Sequence, residues 1–282
     1  MPSFIAEFIG TAIMILFGGG VVANVVLNKS KAAGGGWIVV IMGWGFAVML
    51  AVFAVGKYSG GHLNPAVTVG LAIANKFPWM YVLGYIIAQM LGAMLGAFLV
   101  WTHFKPHFAV TENAIAKRDI FCTTPAIEDY PSNLVSEILG TAVLIFAILF
   151  IGINEFTGGV QPVVVGFLIM AIGLSLGGTT GYAINPARDL GPRIMHALMP
   201  IAGKTDSNWR YAFVPILGPM VGTIIGTALY GLFYRSGAGN TMSIFGSIVW
   251  LSIGGVLCFY LLRYGRRKQA EKRALEVGSE NH

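Results

Sequence analysis

The chain has 282 residues, 56% hydrophobic and only 11% charged, where a soluble domain carries about 25% charged residues. With a mean hydropathy of +0.73, that composition excludes an ordinary soluble domain and places the chain in the membrane class. The formal net charge of +6 is concentrated near the end, in RYGRRKQAEKR (263–273). No aromatics are spaced through that stretch to stack bases, so it reads as a membrane-flanking end near anionic lipid and not as a nucleic-acid site.

The first apolar run covers 4–27. It is long for a signal peptide, has no basic residue before it and carries Glu7, so a mature span is expected. A second run follows at 37–56. Next comes SGGHLNPAVTVG (59–70). Asn-Pro is a helix-start signal, because Asn caps the free N–H groups and Pro has no N–H to lose. The apolar stretch after Pro65 is too short to span a membrane, which takes roughly 20 residues. Runs at 79–102, 134–153 and 162–177 follow, the first two separated by the longest connection, 103–133. GYAINPARDLGPR (181–193) then repeats the Asn-Pro-Ala pattern with another short stretch, before a run at 212–233 and a last one at 244–262.

The halves match. AEFIGTA (6–12) parallels SEILGTA (136–142), AQMLGAMLGA (88–97) parallels VPILGPMVGT (214–223), and Asn64-Pro65-Ala66 parallels Asn185-Pro186-Ala187. Each half has three spans and one short insert. Three is odd, so the second copy enters the membrane inverted. The glycines of GAMLG (92–96) and GPMVG (218–222) have the spacing that lets membrane helices approach closely. Short helices preceded by glycine-rich backbone survive at membrane depth only inside protein or along a water-filled cavity. Inverted copies bring two such stubs tip to tip, with both positive dipole ends at one spot, a field hostile to cations.

GGHLNPAVTVG and GYAINPARDLGPR resemble the two signature loops of the aquaporin family, specifically its glycerol-facilitator branch, and the likeness runs over residues 4 to 234. The resemblance implies an all-α membrane fold of six spanning helices and two re-entrant half-helices. It also implies four subunits with a separate pore through each, in the plasma membrane, and no cofactor. The channel domain is expected at 1–234 (repeats 4–102 and 134–234), with an extra apolar segment and basic tail at 235–282.

By resemblance the narrowest ring is Trp44, Gly173, Tyr182 and Arg188. Gly173 leaves room where water-selective relatives usually place His, and an aromatic wall opposite an arginine suits a polyol, which has a carbon side and a hydroxyl side. Tyr182 stands where glycerol facilitators commonly have Phe. An arginine at membrane depth is penalised by about 2.5–3.5 kcal/mol and usually faces a cavity; the alternative for Arg188 is a salt bridge to Asp189. Gly60, Gly61, His62 and Leu63, with Gly181, Tyr182, Ala183 and Ile184, are expected to offer backbone carbonyls to the lumen, glycine permitting shapes a side chain forbids. In the family, carboxylates at the Glu7 and Glu137 positions brace these loops, and His62 is read as a brace too. Asp189, Arg193, Pro215 and Ile216 are glycerol-branch markers, and Asp189 and Arg193, four apart on a helix, can pair.

Segment 244–262 is extra to the six-helix plan. Its hydrophobicity favours a seventh span, while the positive-inside tendency opposes it. Cys122 and Cys258 show no metal or redox spacing, and no disulfide between them is expected. The primary expectation is a passive channel for glycerol and other small uncharged solutes, with water, that excludes ions and protons. A pore tuned to water or to an undissociated organic acid is the alternative within that class. An ion-coupled transporter would need an acidic residue near the midplane, and only Asp189 beside Arg188 is there. An enzyme would need a nucleophile–base pair, metal cluster or phosphate loop, and none is evident.

Overall fold

The computed structural model describes residues 1–233 and 244–280, with Ile244 and residues 277–280 described by backbone alone. Among the described residues the ordered elements are all helical: α1 (Ser3–Val26), α2 (Gly36–Ser59), α3 (Pro65–Ile73), α4 (Val82–Val110, entered through a 3-10 turn at Trp79–Tyr81), α5 (Ala114–Asp119), α6 (Tyr130–Ile151), α7 (Val160–Leu176), α8 (Pro186–Leu198), α9 (Phe213–Phe233) and α10 (Ile244–Glu280). Six of these, α1, α2, α4, α6, α9 and α10, are long and apolar enough to cross a membrane. The expected span at 162–177 appears as α7, only 17 residues, which at 1.5 Å per residue sits at the lower limit for a crossing.

Glycines set the helix pairs. A Cβ on Gly92 would strike the Phe8 carbonyl, and one on Gly96 would sit 2.6 Å from the Ala12 carbonyl oxygen, so α4 lies directly on α1. In the second half Gly218, Gly222 and Gly226 of α9 abut Glu137, Ile138 and Ala142 of α6 in the same way. The halves are joined through α2 and α7, where Gly45 and Gly166 face each other, each within 3.0 Å of the other's carbonyl oxygen once a Cβ is added. Each short helix leans on a long helix of the other half: Gly191 of α8 against Ala93 of α4, and Gly70 of α3 against Thr223 and Thr227 of α9. That exchange is the signature of an inverted repeat.

Direction follows from the ends. Phe4 packs on Tyr85 with ring centroids 5.6 Å apart, while Asn28 donates to the Thr111 hydroxyl at 2.9 Å and the Val110 carbonyl at 3.2 Å. Helices α1 and α4 therefore run the same way. Tyr130 packs on Phe213 at 5.6 Å, so α6 and α9 start together. The connection 111–129 carries the chain from the end of one pair to the start of the other.

Two features depart from the sequence reading. Helix α4 continues through Pro106 to Val110 instead of ending near 102. The carbonyl freed by the proline is that of Thr102, an exposed residue at the very end of the apolar run, where water can satisfy it. The connection also holds α5, whose first turn is capped by Asn113 accepting from the Ala116 N–H at 3.0 Å. Both thiols are free, Cys122 buried and Cys258 half-buried. The expected domain boundary at 234/235 falls outside the described residues.

Candidate functional site: the junction of the two short helices

Proline stands at the first position of both α3 and α8, and both caps are asparagine. The Asn64 side-chain oxygen accepts from the Ala66 N–H at 2.8 Å. That of Asn185 accepts from Ala187 at 3.0 Å and Arg188 at 3.1 Å. Capping uses only the oxygen. Each amide nitrogen crosses to the other half: Asn64 Nδ2 donates to the Ile184 carbonyl at 2.9 Å, and Asn185 Nδ2 to the Leu63 carbonyl at 2.9 Å. This reciprocal stitch holds the two N-termini together, so the positive ends of both helix dipoles converge. Each amide has a second N–H with no protein acceptor among the described residues, and both asparagines border the same cavity.

The backbone leading to each cap is strained. Gly60, Gly61 and Leu63 lie at φ of +85°, +61° and +53°, and Gly181, Tyr182 and Ile184 at +77°, +36° and +42°. Glycine tolerates this region; Leu, Tyr and Ile do not, at about 1–3 kcal/mol each. Two buried carboxylates hold them there. Glu7 Oε1 accepts from the Ser59 hydroxyl at 2.6 Å and the His62 N–H at 2.9 Å, while Oε2 accepts from the Leu63 N–H at 2.7 Å and Gln89 Nε2 at 2.8 Å. Glu137 Oε1 accepts from Thr180 Oγ1 at 2.6 Å and the Ala183 N–H at 3.0 Å, and Oε2 from the Ile184 N–H at 2.9 Å. His62 Nδ1 lies 3.1 Å from Thr68 Oγ1, and its ring packs on Phe77 and Tyr85. Ser59, Thr180, Gln89 and Thr68 were not singled out in the sequence. Their one signal was polarity inside apolar helices and loops.

A cavity of about 740 Å³ runs from the α6–α7 connection past Asn64 and Asn185 to Trp44, Tyr182 and Arg188. Gly60, Gly61, His62, Leu63, Ala183 and Ile184 also border it, whereas Gly173 and Gly181 are set back. The guanidinium carbon of Arg188 stands 4.1 Å from the Trp44 ring centroid, so the arginine lies on the indole and not across from it. Gly18 leaves the space this indole occupies. The room offered by Gly173 is taken by a neighbour: a Cβ there would lie 3.0 Å from Tyr182 Cζ, and one on Gly177 would lie 2.6 Å from Tyr182 Cδ1. Trp37 closes on the same tyrosine edge-on at 5.8 Å. The buried Tyr182 hydroxyl has no protein partner among the described residues.

Asp189 turns away from Arg188. It pairs with Arg193 at 2.7 Å, both side chains fully buried, and its Oδ2 accepts from the Thr123 N–H at 2.8 Å and hydroxyl at 2.6 Å. Arg193 in turn donates to the carbonyls of Ser207 (2.5 Å) and Asn208 (2.9 Å). This cluster fastens two connections to α8. Among the described residues no ion pair engages Arg188, which leaves its guanidinium for the cavity. Pro215 and Ile216 sit in the first turn of α9, away from the cavity.

A family model described as major intrinsic protein matches residues 1–230. The chain is 54% identical over 234 residues to a probable glycerol uptake facilitator protein of Thermotoga maritima, covering 83% of this chain and all of that one. It is 55% identical over 233 residues to a glycerol uptake facilitator protein of Streptococcus pneumoniae, with the same coverage. Among solved structures, the aquaglyceroporin from Plasmodium falciparum superposes with a TM-score of 0.72 at 29% identity, over 82% of this chain and 96% of that chain. These likenesses agree with the junction just described: the chain belongs to the major intrinsic protein family, on its aquaporin-like glycerol-facilitator branch.

Proposed function

We propose that this multi-pass membrane protein is a passive channel through which glycerol and other small uncharged solutes, with water, diffuse down their gradients while ions and protons are excluded. The observation that carries the reading is the stitched junction: two helix N-termini meet where an asparagine from each borders one cavity. Converging positive dipole ends repel cations and hydronium. The two spare amide N–H groups offer donors to a solute hydroxyl without a charged well that would hold it. The relatives named for glycerol uptake support the same substrate class.

In this reading Trp44, Tyr182 and Arg188 form the narrowest ring, with Gly173 shaping it by seating the tyrosine. Arg188 donates to passing hydroxyls and repels cations, and Trp44 supplies an apolar face. Glu7 and Glu137 keep the loop carbonyls in place. Four copies assemble, each with its own pore, an expectation that rests on family membership.

The test is light scattering of liposomes containing the purified protein, shocked with sucrose and separately with glycerol. Fast glycerol re-swelling that is indifferent to proton and sodium gradients is expected. Re-swelling that requires such a gradient would indicate a coupled transporter, and fast water flux with glycerol at the rate of empty liposomes would indicate a water pore. Within the ring, Trp44→Ala and Arg188→Val are expected to loosen discrimination between solutes; unchanged discrimination in both refutes the assignment.

A further inference from the structure

Helix α10 is not used by the channel, yet it is the longest helix, at 37 residues. It follows α9 in antiparallel fashion. Just past the middle of α9, Gly254 packs against Ile225, 2.9 Å from its Cγ1 once a Cβ is added. At the start of α9, Tyr264 meets Phe213 edge-on at 5.1 Å. Further on, a Cβ on Gly265 would sit 2.9 Å from Leu134 Cδ1 of α6. Beyond that the contacts become polar and specific. Gln269 Oε1 accepts from the Tyr130 N–H at 3.2 Å, its Nε2 donates to the Glu128 carbonyl at 3.3 Å, and Lys272 Nζ lies 2.6 Å from the Glu128 carboxylate.

We infer that α10 is a seventh membrane-spanning helix whose outer face lies against lipid acyl chains, so that the two ends of the chain lie on opposite sides of the membrane. Three observations carry this. The apolar part, 244–262, reaches about 28 Å at 1.5 Å per residue, close to the hydrocarbon thickness of about 30 Å. Its outward residues, among them Phe245, Ile248, Val256, Phe259 and Tyr260, are exposed and apolar, as a lipid-facing surface is. The basic residues begin where that length ends, with Arg263, Arg266 and Arg267, at the level where phosphate headgroups would lie. An interfacial helix on the side where α9 ends could not reach Glu128 or Tyr130, which stand at the start of α6 on the other side.

Part of the positive charge that weighs against a seventh span is neutralised locally. Lys272 is anchored to Glu128 and Lys268 to Glu271, so part of the basic tail is paired with acidic groups on the side where α10 places it.

The test is sidedness. In a background carrying Cys122→Ser and Cys258→Ala, single cysteines are introduced as Pro2→Cys or appended after His282, and spheroplasts are treated with a membrane-impermeant maleimide. One end is expected to label in intact spheroplasts and the other only after permeabilisation. Shortening the chain to end at Phe233 with an appended cysteine should move the C-terminal label to the N-terminal side. An antibody tag after His282 in the otherwise unaltered chain repeats the readout without cysteine replacement. Equal labelling of both ends of the full chain from one side overturns the proposal. As a second measurement, Glu128→Cys with Lys272→Cys should form an oxidative cross-link within one chain. A cross-link found only between chains would assign α10 to a neighbouring subunit, against the proposal.

Discussion

Replacing Glu137 by Gln is nearly isosteric but removes one acceptor. The wild-type carboxylate accepts three bonds, two at Oε1 (Thr180, Ala183) and one at Oε2 (Ile184). With the amide oxygen facing Thr180 and Ala183, the new NH₂ group opposes the Ile184 N–H, donor against donor. With the amide flipped, the NH₂ group opposes the Ala183 N–H instead, and Thr180 keeps a bond only by turning its hydroxyl to accept. The smallest loss is thus one hydrogen bond to a charged group, about 1.5–3 kcal/mol. What it releases matters more. Tyr182 and Ile184 sit at φ of +36° and +42°, a conformation that relaxes once its brace weakens. The Ile184 carbonyl is also the acceptor of Asn64 Nδ2, so its movement unpicks half of the stitch. A change of about 2 kcal/mol in the barrier is about a thirtyfold change in rate. Glu137→Gln is therefore expected to slow glycerol re-swelling of liposomes by at least about tenfold at matched protein content, and to lower the melting temperature in detergent. Glycerol flux within twofold of wild type (roughly 0.4 kcal/mol in barrier) would refute the bracing argument.

Other substitutions test neighbouring parts. Tyr182→Phe removes a buried hydroxyl that no protein group satisfies, so the melting temperature should hold. The flux of 1,2-propanediol relative to glycerol should rise by about fivefold if the hydroxyl supplies one bond of about 1 kcal/mol to the solute; an unchanged ratio in osmotic assays counts against that role. Asp189→Asn breaks the fully buried pair with Arg193 and should destabilise the fold by about 3–5 kcal/mol, read as a large drop in melting temperature. Burial pushes the Cys122 thiol up to about 12, so almost no thiolate exists at neutral pH. Maleimide should leave Cys122 unmodified in the folded protein and react after denaturation; rapid native labelling would contradict its packing.

Much of this was legible in the chain. Two Asn-Pro-Ala stretches after glycine-rich approaches, inside paired runs of three spans, are enough to place two short helices tip to tip, because caps, dipoles and buried backbone leave few other arrangements. Glu7 and Glu137 stood out as acids in apolar helices. Their partners did not, because the bonds join residues far apart: Gln89 reaches Glu7 across 82 positions and Thr123 reaches Asp189 across 66. Nor could spacing show that the notch at Gly173 is occupied by Tyr182, since that depends on how α7 meets the loop before α8. The stacking of Arg188 on Trp44 is likewise a matter of rotamers and not of sequence position. Helix α4 outran its apolar run because a helix, once formed, propagates into polar residues more readily than a new one nucleates.

In the proposed channel, two half-helices entering from opposite faces frame one conduit. The most direct measurement is a high-resolution structure of the protein in lipid nanodiscs soaked with glycerol. A single column of solute and water density passing between Asn64 and Asn185 and beside the Arg188 guanidinium is the predicted result. Protein density closing that column, with glycerol bound elsewhere or the two asparagines lying apart, would contradict it.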